Sequence, residues 1–254
     1  MRKRYLFFDY DGTLRSRKYD RIPDSAREAL ELLARNGHFV SVATGRLQAD
    51  ALARMSKEGI TSLVADGGYS ITINGDLKWM RGLDLEPCKR LLRYFDEVGV
   101  PWAVTTRNEM VRYTRSQAYC DGLPDDYAKT VYEPDLGIDD LDCIYKMFIP
   151  CPMGEEKDLD FMDVPWARYS PQSIFFEPTC KDVGIRKMMD WFGAPYEDAL
   201  VFGDGTNDAA MFGCEWESVA MGNSWPPLKD MATYVTSHID EDGVWNACRR
   251  LGLI

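Results

Sequence analysis

Aspartates close two of the chain's apolar runs. Residues 5–8 (YLFF) stop at Asp9, with Asp11, Gly12 and Thr13 behind it. Residues 199–202 (ALVF) stop at Gly203-Asp204-Gly205, followed by Asn207 and Asp208. A third run, 38–43 (HFVSVA), ends in Thr44-Gly45-Arg46. Carboxylates gathered in one place repel one another and call for a cation. Oxygen ligands suit Mg2+, which keeps several waters and bridges to substrate phosphate, and no histidine–cysteine set competes for it here. A carboxylate is also a competent nucleophile toward phosphorus, giving an aspartyl-phosphate. Asp9 can play that part. Asp11, two residues on, can protonate the leaving oxygen and then activate water. Lys181 can screen the attacking anion, and Thr44 can donate its hydroxyl to a phosphoryl oxygen. Backbone N–H groups of the Asp9–Thr13 turn can do the same. Catalysis of this kind rests on positioning and charge stabilisation.

Such residues are useful only if a fold gathers them. The run 5–8, the helical spacing of Ala26, Ala29, Leu30 and Leu33, the run 38–43, a helical stretch over 47–58 and the run 60–65 alternate as β-α-β-α-β. Ser25 and Glu28 have capping-box spacing, Asn36-Gly37 stops the first helix and Gly59 caps the second. Continuous apolar strands imply a parallel sheet covered on both faces. The pattern resumes with a helix over 182–192, whose expected inner face is Val183, Met188, Met189 and Phe192. The strand 199–202, a helix start at 206–213 and short strands at 218–221 and 233–236 complete it. Ligands of an open parallel sheet sit at the carboxyl ends of its strands, where these polar residues fall.

The middle differs. Residues 69–81 read as a hairpin turning at Asn74-Gly75. A helix from Pro87 to Gly99 carries Cys88, Leu91, Leu92, Phe95 and Val98. Two strands flank Arg107-Asn108 within 101–114. Residues 116–142 are polar with turns and one short helix, and 143–149 and 166–177 read as strands. The expected fold is therefore α/β: a Rossmann-like, doubly wound parallel-sheet core over 1–81 and 179–254, with an inserted α+β cap over 82–178.

Composition bounds the rest. The 254 residues carry 30 Lys+Arg against 41 Asp+Glu, a formal charge of −11. That field argues against nucleic acid or an anionic membrane as partner. No apolar stretch is long enough for a membrane span. The apolar part of MRKRYLFFDYDG is too short for a signal peptide. Seven cysteines at irregular spacing, without CxxC, read as free thiols in a reducing cytoplasm. His38 and His238 flank apolar runs and are given no role.

The motifs Asp9-Tyr10-Asp11-Gly12-Thr13-Leu14, Ala43-Thr44-Gly45-Arg46, Lys181 and Gly203-Asp204-Gly205-Thr206-Asn207-Asp208 resemble those of the haloacid dehalogenase-like hydrolase superfamily. GDGTNDAAMF, followed by VAMGN and DEDGV, looks like its Cof-type phosphatase branch with a C2-type cap. The resemblance implies Asp9 as nucleophile and Asp11 as general acid/base. It implies a Mg2+ held by the Asp9 carboxylate, the Asp11 carbonyl and Asp204, with Asp208 in support through water or Lys181. Thr44, Gly45, Lys181 and Asn207 would bind the phosphoryl group. The sequence departs from the branch at Tyr10, where an aliphatic residue is usual. Asp182-Val-Gly-Ile after Lys181 and Ala65-Asp66-Gly67-Gly68 in place of an Asn-Gly pair are further departures.

Arg46 has two readings, a substrate contact or a partner for a nearby carboxylate. Gly67 and Gly68 read as a turn, residues 15–18 as a solvated loop or as a segment facing the cap, and Trp102, Tyr113, Tyr145 and Trp166 as cap core. The expected activity is hydrolysis of phosphate monoesters of small metabolites, sugar or cofactor phosphates, by a monomer or homodimer. The alternatives are a sugar phosphomutase and a non-catalytic regulator that binds a phosphorylated metabolite.

Overall fold

The structure, a computed structural model, describes residues 2–122 and 125–254. β1 (Tyr5–Phe8) is buried along its whole length. α1 (Asp24–Arg35) begins one residue before Ser25, behind Pro23, so Ser25 lies inside the first turn. The expected capping box is therefore not formed, and no side chain caps this helix. β2 (Phe39–Ala43), α2 (Gln48–Met55) and β3 (Leu63–Ala65) follow, with Gly59 in the left-handed region (φ 75) ending the turn after α2. β4 (Ser70–Ile73) and β5 (Asp76–Met80) are joined by Asn74 and Gly75 at φ 52 and 86. Two positive φ angles are what a two-residue hairpin turn requires.

Next come α3 (Leu85–Val98), β6 (Ala103–Thr105), β7 (Val111–Thr114), α4 (Gln117–Asp121), β8 (Lys129–Tyr132), β9 (Lys146–Pro150), β10 (Trp166–Ser170) and β11 (Ser173–Phe176). β8 falls in the polar stretch where only turns and a short helix were expected. Its half-exposed sequence KTVY pairs in parallel with β7. The chain ends with α5 (Lys181–Phe192), β12 (Ala199–Gly203), β13 (Glu217–Ala220), α6 (Pro226–Met231), β14 (Tyr234–Val235) and α7 (Gly243–Arg250). Thr206–Met211 is a 3-10 helix.

Two compact units result. One comprises Met1–Gly45, Ala51–Trp79 and Cys180–Ile254; the other comprises Arg46–Asp50 and Met80–Thr179. The first is built on the sheet β14-β13-β12-β1-β2-β3-β4-β5. Its ladders are parallel from β14 to β3, and β4 joins antiparallel. Successive residues of β1 point to opposite faces. Leu6 and Phe8 pack with Ala26, Leu30, Leu33, Met55 and Val244, whereas Tyr5 and Phe7 pack with Ile185, Met188, Met189 and Leu228. Helices thus cover both faces, as a doubly wound sheet demands.

α5 departs from its expected inner face. Val183 is 41% exposed, and Lys181, Gly184 and Ile185 are buried instead. Gly184 faces inward because there is no room for more. A Cβ there would collide with Val64 and stand 2.8 Å from the Gly68 carbonyl.

The second unit has a six-stranded sheet, β10-β11-β9-β6-β7-β8. α3 buries Cys88, Leu91, Leu92 and Phe95 against Trp102, Met147, Ile174 and Phe176. Val98, expected on that face, is 48% exposed at the last turn before Gly99. Trp166 is also exposed, while Trp102 is core. The opposite face carries the buried pair Lys146–Glu177, joined by the Tyr169 hydroxyl.

Candidate active site

The strand register sets the site. Phe8 of β1 lies level with Val42 of β2 and Phe202 of β12. The residues that follow these three therefore leave the sheet at the same edge. Asp9 N–H donates to the Phe202 carbonyl at 2.8 Å, the last ladder bond before the chains diverge. Thr44, two residues beyond Val42, is 3% exposed, and its N–H donates to the Val64 carbonyl at 2.8 Å.

Asp9, Asp204 and Asp208 are all buried, and one carboxylate oxygen from each lies within 4.8 Å of the others. Lys181, at the first turn of α5 and 1% exposed, donates to Asp9 Oδ1 at 2.6 Å and to Asp208 Oδ1 at 2.5 Å. Asp208 Oδ2 accepts the N–H groups of Asp204 and Gly205 at 2.9 and 2.8 Å. It thereby closes the loop that carries Asp204. Thr13 Oγ1 donates to Asp204 Oδ1 at 2.9 Å and ties the first aspartate turn to the last. Gly12 at φ 110 is required here, since a Cβ would overlap the Asp204 carboxylate.

Charge inside this cluster is unbalanced. Burial, and then the neighbouring Asp208, push the Asp9 carboxyl up to about 8 despite Lys181. Burial and Asp208 likewise raise Asp204 to about 6, while the Thr13 hydroxyl opposes the rise. For Lys181, burial disfavours the ammonium, but Asp208 and Asp9 outweigh it and hold the proton above its ordinary value. One ammonium thus faces three buried carboxylates. A hard divalent cation would supply the missing charge, and the all-oxygen donor set fits one.

The remaining candidates are spread more widely. Asp11 is paired with Arg15 at 2.8 Å, and Arg15 reaches on to Asp20. The Arg17 guanidinium donates to the Asp11 carbonyl at 2.8 Å and lies 3.8 Å from Asp204 Oδ2. Read as a solvated loop, residues 15–18 in fact send two arginines into the site's surroundings. Their only signal in the sequence is basic charge directly after an acidic turn. Of the turn's backbone donors, Asp9 and Gly12 are already taken, Gly12 by the Arg15 carbonyl at 2.9 Å. Asn207 is half-buried, with its Oδ1 folded back over Gly205. Arg46 pairs with Asp50 at 2.9 Å, and both group with the second unit, whereas Gly45 ends the first segment of the first unit. Gly67 and Gly68 form a tight turn against α5. Cys180 N–H donates to the Gly67 carbonyl at 2.9 Å, and a Cβ on Gly68 would strike the Cys180 carbonyl. Tyr10 packs in the core with Leu14 and Ile22.

A family model for haloacid dehalogenase-like hydrolases matches residues 6–161 and 166–248. The chain belongs to that family. "Putative phosphatase YkrA" of Bacillus subtilis is 30% identical over 265 residues, covering 100% of both chains. A protein of Streptococcus pyogenes named "Putative bifunctional phosphatase/peptidyl-prolyl cis-trans isomerase" is 27% identical over 269 residues, which span 98% of this chain and 54% of that one. Among solved structures, the subclass IIB sugar phosphatase BT4131 of the same superfamily matches with a TM-score of 0.80 at 27% identity, over 99% of this chain and 100% of its own. All matched segments run through both units, so the likeness is not confined to the four motifs.

Proposed function

We propose that this hydrolase is a Mg2+-dependent phosphatase of small phosphorylated metabolites that works through a phosphorylated Asp9. The observation that carries the reading is the buried Asp9–Asp204–Asp208 cluster with Lys181 bridging Asp9 and Asp208. The cation, when bound, would be held by the Asp9 and Asp204 carboxylates and the Asp11 carbonyl, with Asp208 in support, and would supply charge stabilisation for the transferring phosphoryl group. Asp9 attacks phosphorus, forming an O–P bond as the bond to the leaving oxygen breaks. Asp11 donates a proton to that oxygen. In the second half Asp11 takes a proton from water, the water oxygen attacks phosphorus, and the Asp9 carboxylate is released with inorganic phosphate. Lys181 keeps Asp9 oriented and offsets the charge that builds on the phosphoryl oxygens. Thr44, Gly45 and Asn207 complete the phosphoryl site in this reading, and Arg46 is assigned to Asp50. The inserted stretch 82–178 is the element that selects the leaving group. A cytoplasmic setting fits seven cysteines that form no disulfide.

Asp9→Asn keeps the shape of the side chain but removes the attacking anion. Hydrolysis of a generic aryl phosphate should fall by roughly 10³-fold or more. Undiminished turnover would sink the assignment. A panel of phosphorylated sugars and cofactors then ranks substrates by kcat/KM, and isomerisation without phosphate release would point to a phosphomutase.

A further inference from the structure

The motifs VAMGN (219–223) and DEDGV (240–244) have no part in the chemistry above, yet they meet beneath it. The loop leaving β13 first grips the Asp204 side. Met221 N–H and the Ser224 hydroxyl donate to the Gly203 carbonyl at 3.1 and 3.0 Å, and Trp225 N–H donates to the Asp204 carbonyl at 2.9 Å. Asn223 then crosses to the nucleophile side. Its Nδ2 donates to the Gly12 carbonyl at 2.8 Å, and its Oδ1 accepts the Ile239 N–H at 3.0 Å. An amide offers donors at one end and an acceptor at the other, so only this orientation satisfies both partners.

The segment holding Ile239 is itself pinned to the same loop. Gly222 N–H donates to the Ser237 carbonyl at 2.9 Å, and a Cβ on Gly222 would strike the His238 backbone. Asp242 adopts φ 58 to start α7, and the Thr236 hydroxyl donates to the Gly243 carbonyl at 2.7 Å. The Asp9–Thr13 turn, by contrast, is closed mostly by local bonds such as Gly12 N–H to the Arg15 carbonyl at 2.9 Å. Thr13–Asp204 and Asn223–Gly12 tie it to distant parts of the chain, spanning 191 and 211 positions.

We propose that Asn223 is a positioning residue: by fixing the Gly12–Thr13 peptide, it holds the nucleophile turn in register with the Asp204 loop. Both ends of its amide are engaged by backbone groups, so it acts through Gly12 and not on the reacting atoms directly. Its removal lets the turn drift, which lowers the rate of the chemical step while leaving substrate affinity intact. This rests on the phosphatase reading for its kinetic consequence, though not for the tie itself.

The test compares Asn223→Ala and Asn223→Asp with wild type. Asn223→Asp keeps the acceptor for Ile239 but places an oxygen against the Gly12 carbonyl. With an aryl phosphate and saturating Mg2+, both variants should lose about 10- to 100-fold in kcat, with KM within about threefold. Hydrogen exchange of the peptide covering residues 9–15 should accelerate in both, with β12 and α5 unchanged. Wild-type kcat in Asn223→Asp, a raised KM with unchanged kcat, or unaltered exchange over 9–15 would each overturn the proposal. If wild type releases phosphate from no ester, the phosphatase reading fails, and the exchange measurement alone decides the role of Asn223.

Discussion

Arg17 shows how a single side chain can set the behaviour of this site. Its guanidinium donates to the Asp11 carbonyl and approaches Asp204 Oδ2, two oxygens assigned above to the cation. An exposed guanidinium in that position competes with a divalent ion, but a pair so open to solvent is worth only about 0–1 kcal/mol. Arg17→Ala should therefore tighten Mg2+ binding by up to about fivefold, since about 1.4 kcal/mol corresponds to tenfold. Calorimetric titration with Mg2+ measures this directly, and weaker binding in the variant would show that Arg17 supports the site instead. His38 makes a different prediction. It is 6% exposed, its Nδ1 accepts the Arg4 N–H at 3.0 Å, and burial with the nearby Arg4 charge lowers its pKa below the ordinary 6.5. The unfolded chain then binds the proton more readily than the folded one. The stability held by neutral His38 is complete above about pH 6.5 and is lost as the pH falls below it. The thermal midpoint should drop more steeply between pH 7 and 5.5 in wild type than in His38→Asn, which keeps an acceptor for Arg4. Parallel curves would remove His38 from the account.

At the scale of elements, the placement of Lys181 depends on how closely α5 approaches the sheet. The helix can reach Asp9 only because Gly184 and Gly68 leave no side chain between α5 and the turn after β3. Gly184→Ala should destabilise the fold by about 1–3 kcal/mol, as overpacking does. It should also lower kcat, because the shifted helix carries Lys181 with it. Val183→Ala on the exposed side of the same helix should stay within about 0.5 kcal/mol of wild type. Denaturant midpoints and kcat for the two variants separate these outcomes, and a Gly184→Ala protein with wild-type values would show that the helix has room to spare. The same contact explains Gly67-Gly68, which serve packing against Cys180.

For the whole molecule, the consequence of the cluster is a linkage between cation binding and folding. Three buried carboxylates facing one ammonium oppose the folded state, and a cation that binds only the folded chain relieves that opposition. Saturation at about 100 times the dissociation constant adds about 2.7 kcal/mol. Thermal unfolding with Mg2+ should therefore occur at a higher midpoint than with chelator. In Asp204→Asn, which removes one anion, the metal-dependent shift should shrink and the metal-free midpoint should rise. A midpoint indifferent to Mg2+ in wild type would contradict the charge argument. Each unit has its own core, so this linkage belongs to the one that contains the aspartates.

The amino-acid sequence alone determined which residues could do chemistry and where along the chain they had to sit. Apolar strands must bury both faces, and polar residues at their carboxyl ends must then emerge at one edge, so β1, β2 and β12 and the polar residues after them were legible. Helix boundaries were less so, because Pro23 rather than Ser25 sets the start of α1, and β8, half-exposed KTVY, is too polar to announce itself. Only the tertiary structure decided the division of labour within the site. That Lys181 bridges Asp9 and Asp208, that Thr13 holds Asp204, and that Asn223 reaches Gly12 are contacts between residues 27 to 211 positions apart. Local spacing carries no information about such pairs, since their partners meet only when the strands are in register.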